Sequence, residues 1–324
     1  MRAAVRDRYG SPERVVEVRE IDKPVPSDDE VLVRVAAAGL NVADWYSVTG
    51  RPWVGRPSTG LRKPKEERLG VDYAGTVEAV GKNVTEFRPG DEVLGGRTGA
   101  LAEYVAARAD RAIVPKPANV TFEQGATVAV AGVTALQGLR DKGRLQPGQK
   151  VLVNGASGGV GTFAVQIGKA LGGEVTAVCS TGNVDLVRSL GADHVVDYTQ
   201  EDFTRSDRRY DVLLDVAGSK SLRACKRVLA PDARFVIVGG SRSSRLLGPL
   251  GHVAGTLLAG MWNSQKVGFF IAKLNKEDME VLREMLETGK LTPVIDRQYE
   301  LSELVAAFDY MGEGHCRSKI VVTP

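Results

Sequence analysis

The 324-residue chain sets 43 lysines and arginines against 40 aspartates and glutamates, a formal charge of +3, with 43% apolar and 26% charged residues. So small and scattered a charge argues against a nucleic-acid footprint, and the length allows two domains, each with its own core. Cys179, Cys225 and Cys316 lie far apart, against a disulfide framework or a structural zinc knot, so a cytoplasmic location is the expectation.

No run reads as a signal sequence or reaches membrane-spanning length. The most apolar segment, 246–261, is broken by Pro249 and glycines and reads as a buried or pocket-covering loop. The basic cluster RKPKEER, Arg62 to Arg68, has acids among its bases and reads as a solvated loop.

In chain order, the first third reads as short strands between Gly and Pro: EVLVRVAAAG (Glu30 to Gly39), DYAGTVEAVG (Asp72 to Gly81), DEVLGG (Asp91 to Gly96) and AEYVAARADRAIVPK (Ala102 to Lys116). They predict a β-rich, partly closed barrel. From Phe122 to Leu139 the pattern is helical, with Thr121 as N-cap. After a strand opening at Val151, helical stretches alternate with the strands EVTAVCS (Glu174 to Ser180), HVVDY (His194 to Tyr198), YDVLLDVAG (Tyr210 to Gly218), RFVIVGG (Arg234 to Gly240) and KVGFFIA (Lys266 to Ala272). Alternation of this kind implies a parallel sheet with right-handed crossovers, and six strands is the number of a doubly wound dinucleotide fold.

Beyond it, Asn275 caps a predicted helix with Met279, Leu282 and Met285 or Leu286 on its apolar face, ending at Gly289. A second helix is predicted from Ser302 to Met311, and SKIVVTP reads as a strand returning to the first domain. The expected fold class is α/β: a β-rich domain of residues 1–120 and 273–324, and a dinucleotide-binding domain of residues 121–272.

The stretch VLVNGASGGVG, Val151 to Gly161, runs from a strand through a glycine turn into a helix with Val160, Ala164, Ile167 and Leu171 on one face. Gly155, Ala156, Ser157, Gly158, Gly159 and Val160 form the turn, whose spacing is A-x-G-x-x-G with the first glycine displaced to Gly155. Glycines there leave room for a diphosphate and for close helix packing, and the helix start offers free N–H groups. Taken alone, the loop is equally an ordinary strand-to-helix turn.

Seven strings decide between these readings: GLNVADW (Gly39 to Trp45), LGVDYAGTVEAVG (Leu69 to Gly81), PGDEV (Pro89 to Val93), AEYV (Ala102 to Val105), GVTALQGL (Gly132 to Leu139), NGASGGVG, and GHCRSK (Gly314 to Lys319). In this order they resemble the zinc-independent quinone oxidoreductase branch of the medium-chain dehydrogenase/reductase superfamily. The resemblance implies a GroES-like first domain and a Rossmann second one. Where zinc-dependent relatives carry a cysteine, a histidine and an acid, this chain has Asn41, Val71 and Asp72, so no metal site is expected. The resemblance also implies that Tyr198 lies near the adenosine phosphate, Thr134 packs against the nicotinamide, and Lys319 supplies a cation near the phosphates.

In NAD-binding versions of the fold an acid ends the second strand; here the residues are Ser180, Thr181, Gly182 and Asn183. Ser180 and Asn183 suit a 2′-phosphate, and NADPH is the expected cofactor, although the same residues also serve as turn chemistry. Strand carboxyl ends point to Val216, Gly239, Gly240 and Ser241 as cofactor contacts. Phe269 and Phe270 can flank the nicotinamide, with core packing the alternative for at least one of them.

Without a metal, hydride transfer needs an acceptor that is already activated, a quinone or an α,β-unsaturated carbonyl, and donors for the resulting oxyanion. Asn41 and Tyr46 are the candidates, Asn41 also bordering the cofactor, with Asp44 orienting a neighbour or capping the local helix. Trp53 lies near where some enoyl-reducing relatives carry a catalytic tyrosine, so solvent is an alternative proton source. Two other functions stay open: a zinc-free NAD(P)-dependent alcohol or aldehyde dehydrogenase, and an NADPH-binding interaction protein with little turnover. A homodimer is the association the resemblance implies.

Overall fold

In the computed structural model, which describes residues 1–51, 53, 56–239, 266–314 and 316–324, the first elements form an antiparallel pair. These are β1 (Arg2–Val5) and β2 (Glu17–Glu20), joined through a short helix α1 (Pro12–Val15). The long strand β3 (Glu30–Leu40) follows, then helices α2 (Val42–Thr49) and α3 (Arg56–Thr59). β3 pairs antiparallel with β4 (Asp72–Val80), β4 with β5 (Glu92–Gly96), and β5 with β7 (Ile113–Pro115), while β6 (Tyr104–Arg108) pairs back onto β3. The run predicted as one strand from Ala102 to Lys116 is thus two, because the chain turns where the Arg111 N–H bonds the Arg108 carbonyl.

Thr121 caps α4 (Phe122–Gly125): its hydroxyl accepts from Gln124 N at 3.2 Å, and Gln124 Oε1 accepts from Thr121 N at 3.1 Å. The helix predicted from Phe122 to Leu139 is broken after Gly125 and resumes as α5 (Ala129–Leu136), then widens through Gln137–Lys142. The Thr127 hydroxyl takes the Gln124 carbonyl, and the Val130 N–H is held by Asp72, so the break has local partners. The chain divides into two compact units between Val133 and Thr134 and between Ala272 and Lys273; α4 belongs to the first because it packs on β3, β4 and β5.

The second unit contains β8 (Lys150–Asn154), α6 (Gly159–Ala170), β9 (Glu174–Cys179), α7 (Val184–Ser189), β10 (His194–Asp197), β11 (Tyr210–Asp215), α8 (Leu222–Cys225), β12 (Leu229–Ile237) and β13 (Lys266–Phe269). The strands form a six-stranded sheet in the order β10-β9-β8-β11-β12-β13, every pairing parallel. Leu152, Val178, Leu213, Phe235 and Ile237 are buried in its core, which is why these strands read as near-continuous apolar runs. The chain leaves β8 toward β10 and returns beside it as β11, so the topological switch point lies between β8 and β11.

The return segment opens with α9 (Lys276–Glu287), capped by Asn275, whose Oδ1 accepts from Asp278 N at 2.7 Å. The helix buries Met279, Leu282 and Leu286, with Met285 only partly covered. β14 (Ile295–Glu300), α10 (Leu304–Glu313) and β15 (Lys319–Thr323) follow; β15 pairs antiparallel with β3 and parallel with β14. This completes the partly closed barrel, in the order β14-β15-β3-β4-β5-β7 with β6 on β3. Val33, Tyr73, Val93, Ile113, Phe308 and Val322 belong to its core.

Candidate active site

Three strands bring distant residues together in the first unit. Asn41 follows the last residue of β3, Asp72 opens β4 opposite Gly39, and Lys319 opens β15, where Ile320 lies opposite Leu40. Lys319 Nζ donates to Asn41 Oδ1 at 2.6 Å and to Asp72 Oδ2 at 3.2 Å, and Asn41 Nδ2 donates to Asp72 Oδ2 at 3.0 Å. The other Asp72 oxygen accepts the Val130 N–H at 2.9 Å. Asp72 is fully buried, Lys319 is 2% exposed and Asn41 is 8% exposed. Lys319, expected near cofactor phosphates, therefore spends its ammonium on Asn41 and Asp72 within the first unit.

Asp44, in the first turn of α2, accepts the Asn41 backbone N–H at 2.8 Å and so fixes the main chain at the helix start. Burial pushes its carboxyl up to about 7, with the charge of Asp72 adding to the effect and the hydrogen bond from Asn41 and the charge of Lys319 opposing it. Tyr46, half-buried one turn into α2, stands edge-on to Trp45 with ring centroids 5.6 Å apart. Trp53 is 53% exposed.

Arg6, just past β1, was not anticipated. It is 5% exposed, its Nη2 donates to Ser47 Oγ of α2 at 2.6 Å, and its Nε and Nη1 are buried without a partner among the described residues. Burial lowers its pKa, and the charge of Asp44 partly offsets this. No sequence signal marks a lone arginine after a strand as buried.

In the second unit the glycine turn joins β8 to α6. The N–H groups of Gly155 and Ala156 both bond the Val178 carbonyl of β9, and that of Gly158 bonds Gly155 O. The N–H groups of Ser157, Gly159 and Val160 carry no partner among the described residues. Gly155 has φ +92°, a conformation that favours glycine. Among the described residues, a Cβ on Gly158 would meet only Gly155 O, at 3.5 Å, whereas one on Gly161 would meet that same oxygen at 2.1 Å. Among those residues one glycine leaves room beside the turn and the other lets α6 approach it, an arrangement that fits a diphosphate.

Ser180 and Asn183 are brought together at the end of β9: Asn183 Nδ2 donates to Ser180 Oγ at 3.0 Å, leaving Oδ1 buried and unpartnered among the described residues. Nearby, the Thr181 hydroxyl donates to Asp197 Oδ2 at 2.6 Å and holds that carboxyl below its usual range. Tyr198, after β10, is 60% exposed. Val216 follows β11 and donates its N–H to Asn154 O at 3.0 Å, and Gly239, after β12, donates to Asp215 O at 3.3 Å. Phe269 ends β13 and packs against the core of this unit, whereas Phe270 lies past the strand end. Thr134 is half-buried on α5. Gly240, Ser241 and the apolar segment 246–261 lie outside the described residues.

The chain matches the family "Alcohol dehydrogenase GroES-like domain" over residues 27–118 and "Zinc-binding dehydrogenase" over residues 190–322. It is 34% identical over 318 residues to a trans-enoyl reductase of Aspergillus terreus, covering 91% of this chain and 86% of the relative. It is 30% identical to a chloroplastic quinone oxidoreductase of Triphysaria versicolor, covering 100% of this chain and 98% of the relative. Among solved structures, the quinone oxidoreductase of Coxiella burnetii superposes with a TM-score of 0.87 at 28% identity, covering 100% of this chain and 99% of the other. A GroES-like barrel with a doubly wound parallel sheet, and relatives of this identity along nearly the whole length, place the chain in the medium-chain dehydrogenase/reductase superfamily.

Proposed function

We propose that the protein is an NADPH-dependent reductase that delivers hydride to a quinone or an α,β-unsaturated carbonyl without a metal ion. The observation that carries this reading is the amide of Asn41, whose oxygen accepts from Lys319 and whose Nδ2 donates to Asp72, with the Asp44 carboxyl also beside the side chain, so that the amide is fixed in one sense. A fixed N–H is a donor for an oxygen on which negative charge develops, and such donors contribute most when they are oriented in advance. The phenol of Tyr46, on the helix that starts at Asn41, is the second donor. The ammonium of Lys319 occupies the place between Asn41 and Asp72, and Val71 has no ligand atom, which supports a metal-free reaction. Relatives named as enoyl reductase and quinone oxidoreductase support the same acceptor classes.

A bound nicotinamide cofactor would supply the hydride. Ser157, Gly159 and Val160 would hold its diphosphate through their N–H groups, which carry no partner among the described residues, with Ser180, Asn183 and Tyr198 at the adenosine end. Tyr46→Phe is expected to lower turnover with an enone at saturating NADPH by about tenfold or more; unchanged turnover would remove Tyr46 from the mechanism. A panel of quinones and enones beside an NADPH-binding titration tests the whole reading, and tight binding with no turnover on any acceptor would sink it in favour of an interaction protein.

The cofactor preference has two supports that pull apart. The absence of an acid at the end of β9, and an Asn183 amide that presents N–H to a phosphate when turned over, favour NADPH. The Asp197 carboxylate bonded to Thr181 repels a 2′-phosphate and favours NADH as the second reading. The ratio of kcat/KM values for the two cofactors decides between them. Asp197→Asn is expected to shift that ratio toward NADPH by about threefold to tenfold, and a shift toward NADH would show that Asp197 does not act through its charge.

A further inference from the structure

Lys319 and Asp72 form an ion pair that is almost wholly buried, 2% and 0% exposed, between residues 247 positions apart. Burying such a pair gains little stability over an apolar replacement of the same volume, so stability alone is a weak reason for it. An apolar pair cannot, however, dictate the sense of an amide. The ammonium only donates and the carboxylate only accepts, so Asn41 must turn Oδ1 to Lys319 and Nδ2 to Asp72. The reverse orientation would set N–H against ammonium and oxygen against carboxylate, losing both hydrogen bonds. The lock is itself held, because the second Asp72 oxygen takes the Val130 N–H at 2.9 Å and Asp44 takes the Asn41 backbone N–H at 2.8 Å.

We infer that Lys319 and Asp72 are positioning residues, which hold the Asn41 amide in one sense so that Nδ2, and not Oδ1, is the group offered to the acceptor's oxygen. This rests on the reading of Asn41 as that donor. Neither residue touches the reacting atoms in this account; both act through Asn41.

The test is the double variant Lys319→Met/Asp72→Asn. It leaves no unpaired buried charge, keeps an oxygen for the Val130 N–H, and offers Asn41 an N–H where it now meets a carboxylate, which releases the lock. A cooperative thermal transition is expected. Its kcat on an enone is expected to fall about 10- to 100-fold while the KM for NADPH stays unchanged. A readout independent of turnover is the affinity for 4-nitrophenolate, whose phenolate oxygen mimics the charged product; it is expected to weaken by a similar factor in the presence of oxidised cofactor. Lys319→Arg, still donor-only, should retain most of both, whereas Lys319→Gln/Asp72→Asn, which offers Asn41 donor and acceptor alike on both sides, should lose both and serves if the first double variant does not fold. A folded double variant of either kind with wild-type kcat and wild-type nitrophenolate affinity overturns the inference. Asn41→Ala separates the two levels: if it is silent, the donor reading fails and the positioning role with it. If it lowers kcat and nitrophenolate affinity but releasing the lock does not, only the positioning role fails.

Discussion

Gly161→Ala is expected to lower the thermal midpoint by roughly 6 °C or more and to weaken NADPH binding at least tenfold. The added Cβ would lie 2.1 Å from Gly155 O and 2.7 Å from Ala156 Cα, all backbone of the turn itself, so no side chain can swing aside. Relief requires α6 to back away from β8, an overpacking cost of about 3 kcal/mol, and a unit of this size turns that into a shift of about 2 to 4 °C per kcal/mol. Gly158→Ala is the companion. Among the described residues its Cβ meets nothing closer than Gly155 O at 3.5 Å, so the midpoint should stay within about 2 °C, while NADPH affinity falls because the methyl enters the space a diphosphate would take. Differential scanning fluorimetry and a fluorescence titration of NADPH read the two effects separately. A wild-type midpoint for Gly161→Ala, or wild-type affinity for Gly158→Ala, would contradict the turn described here.

That contrast also marks where sequence reasoning works. The glycine turn, the Thr121 and Asn275 caps and the six parallel strands are local, written in residues a few positions apart, and the structure has each of them. β14 was missed because Asp296, Arg297 and Glu300 break its pattern, as a strand at the end of the sheet order permits. The Asn41 cluster is different in kind. Asn41 and Asp44 are legible as candidates, but the resemblance places Lys319 near the phosphates and marks Asp72 only as a metal-ligand position. Their meeting depends on the registers of β3 with β4 and with β15, which no local pattern encodes. Arg6 is hidden for the same reason: its burial is set by the packing of α2.

Asp44→Asn is expected to make the protein more stable than the wild type at pH 8 and to flatten its stability profile between pH 4 and 8. Burial raises the Asp44 carboxyl from an ordinary 3.8 to about 7, so the folded state disfavours the ionised form. For an acid whose folded pKa is raised, the stabilising contribution is complete below the unfolded value and is lost as pH rises through the folded one. The wild type should therefore lose stability from about pH 4 to about pH 7, by up to ~4 kcal/mol for a shift of this size. An asparagine oxygen can still accept the Asn41 N–H, so the helix start survives the exchange while the charge does not. Urea unfolding at pH 5 and pH 8 gives the difference directly, and parallel profiles for the two proteins would mean that Asp44 does not titrate in this window. The same titration reaches the donor, because a proton on Asp44 removes one negative charge beside Asp72 and Asn41. A pH dependence of kcat near 7 that disappears in Asp44→Asn would tie this buried carboxyl to the chemistry, and one that persists would assign it to another group.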